Sequence, residues 1–280
     1  MITRFLRFPG GKSRALTLSY DDGVVQDRHF VHILRYYGLK CTFNINGGLF
    51  PPEGTEFPPE QRHRRMTRNE VLYSYPNDLC EIACHAYTHP RLNLCDNAMA
   101  TAQVLEDRKA LEEMFGRPIQ GMAYPYGTYD DRVVGILEAC GIRYCRTTVS
   151  TGRFDIPEDW LRLPATCHHN DPKLMELADA FLAPSRYPEP RLFYLWGHTY
   201  EFDIDNNWDR IEAFARKMAR NDEIWYATNM EVYEAWLDFN RLVSTADGRI
   251  VTNPNARTVW FQDSTGKLHE LLPGQTVTLG

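Results

Sequence analysis

Leu16-Thr17-Leu18-Ser19-Tyr20-Asp21-Asp22-Gly23 is the stretch on which the reading of this chain turns. A short β-favouring run ends in two adjacent carboxylates and a glycine. Side chains alternate between the faces of a strand, but residues just past its end can both turn into one mouth. Two like charges this close repel, and both ionise readily only beside a cation. A divalent metal is the simplest such cation. The same letters also suit an ordinary strand-to-turn junction, where Asp and Gly are common.

Outward from this stretch, short apolar runs alternate with helical patterns. Strands are expected over 15–20, 41–46, 80–84, 121–124, 144–148, 161–166, 192–196 and 224–227. Helices are expected over 27–37, 67–75, 97–115, 130–140, 171–182, 207–219 and 229–242. The Pro-rich segment 49–64 reads as a surface insertion. This alternation argues for a parallel β/α architecture, open or closed. After residue 242 the pattern changes to short strands between Asn-Pro, Ser-Thr-Gly and Pro-Gly turns. Residues 1–242 therefore read as the main domain and 243–280 as a small antiparallel β appendage. Trp260 and Phe261 on one of its strands suit glycan binding, a dimer contact or packing against the main domain.

The composition of the 280 residues is ordinary for a globular protein, with 43% hydrophobic and 24% charged residues. A net charge of -6 leaves no basic footprint, so neither nucleic acid nor an anionic membrane is an expected partner. No run is apolar enough for a membrane span, and the N-terminus does not read as a signal peptide. The seven cysteines are odd in number and scattered, which fits buried thiols in a cytoplasmic protein better than a disulfide framework.

Three further constellations follow expected strands. His85-Ala-Tyr-Thr-His89 offers two imidazoles four apart, and Pro90 places them on a loop. With a carboxylate from Asp21-Asp22 they compose a common catalytic metal set with open positions. Ala123-Tyr-Pro-Tyr-Gly127 fixes a rigid turn that can aim a backbone N–H into a site. Leu195-Trp-Gly-His198 ends a late strand in a histidine placed to give a proton to a leaving group.

In order and spacing these motifs resemble those of the polysaccharide deacetylase (NodB-homology) family, the fourth family of carbohydrate esterases. Ser19–Gly23 is similar to its first motif, His85/His89 to its second, 123–127 to its third and 195–198 to its fifth. The resemblance covers roughly residues 10 to 240. It implies a deformed (β/α) barrel of about seven parallel strands. It also implies a hydrolase of a non-peptide C–N bond, which removes N-acetyl groups from a carbohydrate with a metal-bound water as nucleophile. Carried over, Asp22, His85 and His89 would hold a divalent ion, with zinc first and cobalt or nickel also suitable. Asp21 would be the general base, the Tyr126 N–H would bind the oxyanion, and His198 would be the general acid. One rival is an amide hydrolase of this fold acting on a small cyclic amide or ureide, without metal in some relatives. The other is a non-catalytic glycan-binding relative.

The chain departs from the family pattern in two places. The third-motif arginine, which pairs with the catalytic aspartate, is Ala123 here, and Arg146 or Arg162 is the candidate replacement. The fourth motif is unclear. Asp159-Trp160 has its letters, while Arg146-Thr-Thr148 occupies the expected strand end. His168-His169 is a second histidine pair that reads as a polar loop, with a lining of the substrate cleft as the alternative. The segment from Glu201 to Trp208 reads as a polar loop as well, whose Trp208 suits a sugar face.

Overall fold

The computed structural model describes residues 2–280. Its centre is a parallel sheet rolled into a barrel. In chain order the strands are β1 (Arg4–Arg7), β2 (Arg14–Asp21), β3 (Cys41–Ile45), β4 (Cys80–Cys84), β5 (Gly121–Ala123), β6 (Tyr144–Ser150), β7 (Leu163–Ala165), β8 (Cys167–His168), β9 (Arg191–Gly197) and β10 (Ile224–Tyr226). The tail adds β11 (Val243–Ser244), β12 (Ile250–Thr252), β13 (Val259–Asp263), β14 (Leu268–Leu271) and β15 (Thr276–Thr278). The α-helices are α1 (Asp27–Tyr37), α2 (Arg68–Ser74), α3 (Asn97–Phe115), α4 (Asp131–Ala139), α5 (Leu174–Leu182), α6 (Thr199–Asp205), α7 (Trp208–Met218) and α8 (Asn229–Asn240).

Every residue of β2 is buried, because helices cover one face and the barrel interior the other. Leu16, Leu18 and Tyr20 join the apolar cluster shared with Phe30 and Leu34 of α1. Thr17, Ser19 and Asp21 alternate with them and make hydrogen bonds to polar residues of other elements. The strand order is β7-β6-β5-β4-β3-β2-β9-β8. Closure comes from one stretch, residues 163–168. Its first half pairs with β6 and its second half with β9, and the Thr166 N–H bonds to the Tyr194 carbonyl between them at 2.8 Å. Counted once, that stretch makes a barrel of seven parallel strands, as expected. β10 pairs with the first residues of β2, and β3 pairs with the last, so the wall is split there.

Local chemistry sets the helix ends. Gly38 and Gly116 end α1 and α3 in the left-handed conformation, and Thr67 with Glu70 closes a capping box at α2. Two three-stranded antiparallel sheets lie outside the barrel, β1-β13-β14 and β11-β12-β15. Phe261 is buried with Val251, Leu271 and Leu279 in the small core between them. Arg4–Arg7, which carries no clear strand signal, pairs with the appendage, so strand pairing crosses the boundary drawn at residue 242. All seven cysteines are free. Among the described residues, no helix is long and apolar enough to cross a membrane.

Candidate active site

The barrel strands deliver their last residues to one rim, as parallel β/α folds do. Asp21 ends β2 and is buried. Asn44 of β3 donates to its Oδ1 at 2.8 Å, and Arg146 of β6 donates to its Oδ2. His85 Nε2 and His198 Nε2 lie 3.8 and 3.7 Å from the same Oδ2. Burial pushes the Asp21 carboxyl up. The Arg146 guanidinium and the two imidazoles more than offset it and hold the group below the usual carboxylate range.

Arg146 is fully buried, with its guanidinium over the Trp196 ring at 4.5 Å. It reaches Asp21 because the two β5 residues beside Tyr144 and Arg146, Gly121 and Ala123, are small. Ala123 lies directly beside Arg146 in register, and a Cβ at Gly121 would lie 2.1 Å from the Tyr144 hydroxyl. The position where the family carries arginine is thus small, and the cation approaches from the next strand.

Asp22, His85 and His89 each present a ligand atom, and the three atoms lie within 4.8 Å of one another. His85 Nδ1 lies 2.8 Å from the Ala123 carbonyl. A proton on Nδ1 makes that hydrogen bond and leaves Nε2 with a free lone pair. His89 Nε2 is 3.1 Å from it. Burial pushes both histidines down, His89 to about 4, so both are neutral near pH 7 as metal ligation requires. The donor set therefore fits a divalent metal. Both carboxylate oxygens of Asp22 also meet protein side chains. Arg65 bonds to Oδ1 at 2.8 Å, and His63 Nε2 lies 3.1 Å from Oδ2. Burial raises the Asp22 carboxyl, but these two partners hold it well below its ordinary range.

His198 faces Asp21 through Nε2 and Glu201 through Nδ1, 3.3 Å from Oε1. Burial pulls His198 down, but Glu201 and then Asp21 raise it above its ordinary value. His168 and His169 also lie 3.2 Å from Glu201. The His168-His169 pair is not a polar loop. His168 ends β8 and His169 is fully buried beside Phe202. The Asn170 N–H donates to His168 Nδ1, which puts the His168 proton on Nε2, toward Glu201. Three imidazoles thus gather within 3.3 Å of one carboxylate.

The Tyr126 backbone sits in the left-handed region at φ 58, and its exposed ring lies edge-on to His89 at 4.6 Å. Arg91 lies over that ring at 4.7 Å.

The remaining expected residues lie elsewhere. Trp160 is buried against Tyr233 and Trp236 in a second core cluster. Arg162 pairs with Asp131 and Asp159 at the surface. Trp208 donates to Asp203 and packs on Phe202, and the segment around it is α6 and the start of α7 rather than a loop. Their positions follow from which helix face meets the barrel, which aromatic and charged letters alone do not specify. Sequence reasoning missed Asn44, Asn46, His63, Arg65 and Trp196, and named Glu201 only as part of a polar loop. His63 and Arg65 escaped notice because the Pro-rich segment reads as an outlying insertion, yet its end returns to the rim.

Residues 9–145 match the family model described as polysaccharide deacetylase. The matched stretch, just under half of the chain, is similar to the polysaccharide deacetylase family. Its match ends before β6 is complete, so His198 and Glu201 lie outside the matched segment. No curated protein matches the sequence. Among solved structures, the chain resembles a Mycobacterium smegmatis protein provisionally assigned as a polysaccharide deacetylase, at 16% identity and TM-score 0.56, over 82% of this chain and 92% of that one. It also resembles the Xyl-CE4 domain of a multidomain xylanase from the hindgut metagenome of Trinervitermes trinervoides, at 15% identity and TM-score 0.52, over 80% and 90%. A CE4 family pseudoenzyme from Bacillus anthracis matches at 15% identity and TM-score 0.50, over 82% and 68%. At these identities the likeness is one of fold.

Proposed function

We propose that this chain is a metal-dependent hydrolase of the polysaccharide deacetylase type that removes N-acetyl groups from an amino sugar, free or within an oligosaccharide or polysaccharide. The observation that carries the reading is a buried carboxylate, Asp21, within 4 Å of His85 and His198 and ion-paired to Arg146, beside the Asp22/His85/His89 donor set. Asp22, His85 and His89 would hold the ion, zinc by its taste for mixed imidazole and carboxylate donors, with cobalt or nickel chemically acceptable. When bound, the ion lowers the pKa of water to about 7 and polarises the acyl oxygen.

The chain's own groups do the rest. Asp21, kept ionised by Arg146 and oriented by Asn44, takes the proton of the attacking water. The Tyr126 N–H is assigned to the acyl oxygen as negative charge develops there. His198, kept protonated by Glu201, gives its proton to the departing amine. The products are acetate and the free amino sugar.

A second reading has one observation in its favour: Arg65 and His63 engage both oxygens of Asp22. It is a metal-independent amide hydrolase acting on a small cyclic amide or ureide. Acetate release from N-acetylated chito-oligosaccharides and ring opening of cyclic imides are to be measured before and after chelation. The deacetylase reading expects chelation to abolish acetate release, and zinc or cobalt to restore it. Asp21→Asn should lose about 10²–10⁴ in kcat while still binding the ion. Activity that survives chelation refutes the metal, and absence of turnover on either substrate supports a non-catalytic glycan binder.

A further inference from the structure

Arg65 and Asn46 take no part in the chemistry proposed above, yet they touch both loops that carry the donor set. Arg65 donates from Nη1 to the Asp22 carbonyl at 2.7 Å and to Asn46 Oδ1 at 2.7 Å. It donates from Nη2 to Asp22 Oδ1 at 2.8 Å. The Asn46 amide is turned by that contact, so its Nδ2 faces the other loop. There it donates to the carbonyls of His85 and Ala86. Asn46 is buried, and the Arg65 side chain is largely so.

The backbone explains why such contacts matter. Asp22, Ala86 and His89 all sit at positive φ, 82°, 59° and 56°. Non-glycine residues hold that region only where surrounding contacts impose it. At Asp22 it turns the carboxylate away from the line of β2, and at Ala86 and His89 it folds the loop back so that His89 meets His85. Arg65 and Asn46 hold the carbonyls of Asp22 and Ala86, at two of these three turns. Arg65 is itself fixed by an antiparallel pairing in which the Val25 N–H bonds to the Arg64 carbonyl and the Met66 N–H to the Gly23 carbonyl, both at 2.9 Å.

We infer that Arg65 and Asn46 form a bracket that sets the spacing of Asp22 against His85 and His89, which makes Arg65 a positioning residue for the metal centre. This rests on the metal-dependent reading. It assigns Oδ1 of Asp22 to Arg65 and leaves Oδ2 for the ion once His63, half-exposed on its loop, gives way. The alternative role for Arg65, a cation competing with the metal for the same carboxylate, predicts the opposite sign.

The test is zinc affinity, measured on the full chain by competition with a chromophoric chelator, together with the visible spectrum of the cobalt(II) form. Arg65→Met should weaken zinc binding by about 10–100-fold, the usual cost of losing a partner that orients a ligand. It should also alter the cobalt spectrum, which reports ligand geometry rather than fold. Arg65→Lys, which keeps the charge but cannot span three acceptors, should fall between wild type and Arg65→Met. If Arg65→Met does not fold, Arg65→Lys must still bind more weakly than wild type. Asn46→Ala should weaken binding too, and Arg65→Met with Asn46→Ala should lose less than the product of the two, because the residues act as one unit. Equal or tighter zinc binding in Arg65→Met overturns the bracket and leaves the metal reading standing. Wild-type protein that takes up no zinc overturns the metal reading and the bracket with it.

Discussion

Replacing Arg146 with methionine removes the cation that faces Asp21 and leaves the carboxylate buried. The remaining basic partners are the imidazoles of His85 and His198, at 3.8 and 3.7 Å. Breaking a buried ion pair by removing one partner costs about 3–5 kcal/mol, because the other charge stays desolvated. For a chain of this size each kcal/mol lowers Tm by about 2–4 °C, so a fall of about 6–20 °C is expected. The variant can relieve part of the loss by protonating Asp21, since burial alone drives that carboxyl upward. The same proton disables the base. At pH 7 kcat should therefore fall, by at most the 10²–10⁴ or so that a general base contributes. It should recover as pH rises and Asp21 ionises again. The assay is acetate release against pH, with calorimetry in parallel. A second variant checks the geometry: Ala123→Arg in the Arg146→Ala background restores the family's own placement from the adjacent strand and should regain part of the activity. An Arg146→Met protein with unchanged Tm and an unchanged pH profile would refute the reasoning.

Two other expectations concern protons. Glu201→Gln removes the carboxylate that raises His198, so the alkaline limb of kcat should move to lower pH; an unmoved limb would show that His198 is not the acid that titrates. Asp27 is pushed up to about 7 by burial, against hydrogen bonds from Thr199, Tyr75 and the Val24 N–H. Its folded value lies above its unfolded one, so its stabilisation is full below about pH 4 and is lost as pH rises through 7. Thermal melts between pH 5 and 8 should decline more steeply for wild type than for Asp27→Asn, and parallel slopes would contradict this.

Much of the rim was legible because β/α folds put strand ends together. Once 16–23, 85–89, 123–127 and 195–198 are read as strand ends, their side chains must converge. Arg146 was visible as a cation after a strand facing an uncharged third motif. Arg65, Asn46 and Glu201 were not visible, for different reasons. Arg65 depends on the return path of a Pro-rich segment, which no periodicity encodes. Asn46 reads as the last residue of a strand, and nothing in that reading gives the direction of its amide. Glu201 belongs to a short helix directly after His198, and a helix seven residues long leaves almost no pattern. Trp160 and Trp208 failed as site residues because an aromatic letter fits a core as well as a sugar face.

The pairing of β1 with β13 has a kinetic side. Arg7 and Gln262 meet across 255 positions of chain, and contacts of such separation are slow to form because a long loop must close first. During synthesis β1 leaves the ribosome well before its partner. For that interval Arg4–Arg7 is an unpaired edge beside an otherwise completed barrel. A late refolding phase that is lost on deleting residues 243–280 would be its signature. A nascent chain arrested before Val259 should be correspondingly prone to associate through that edge.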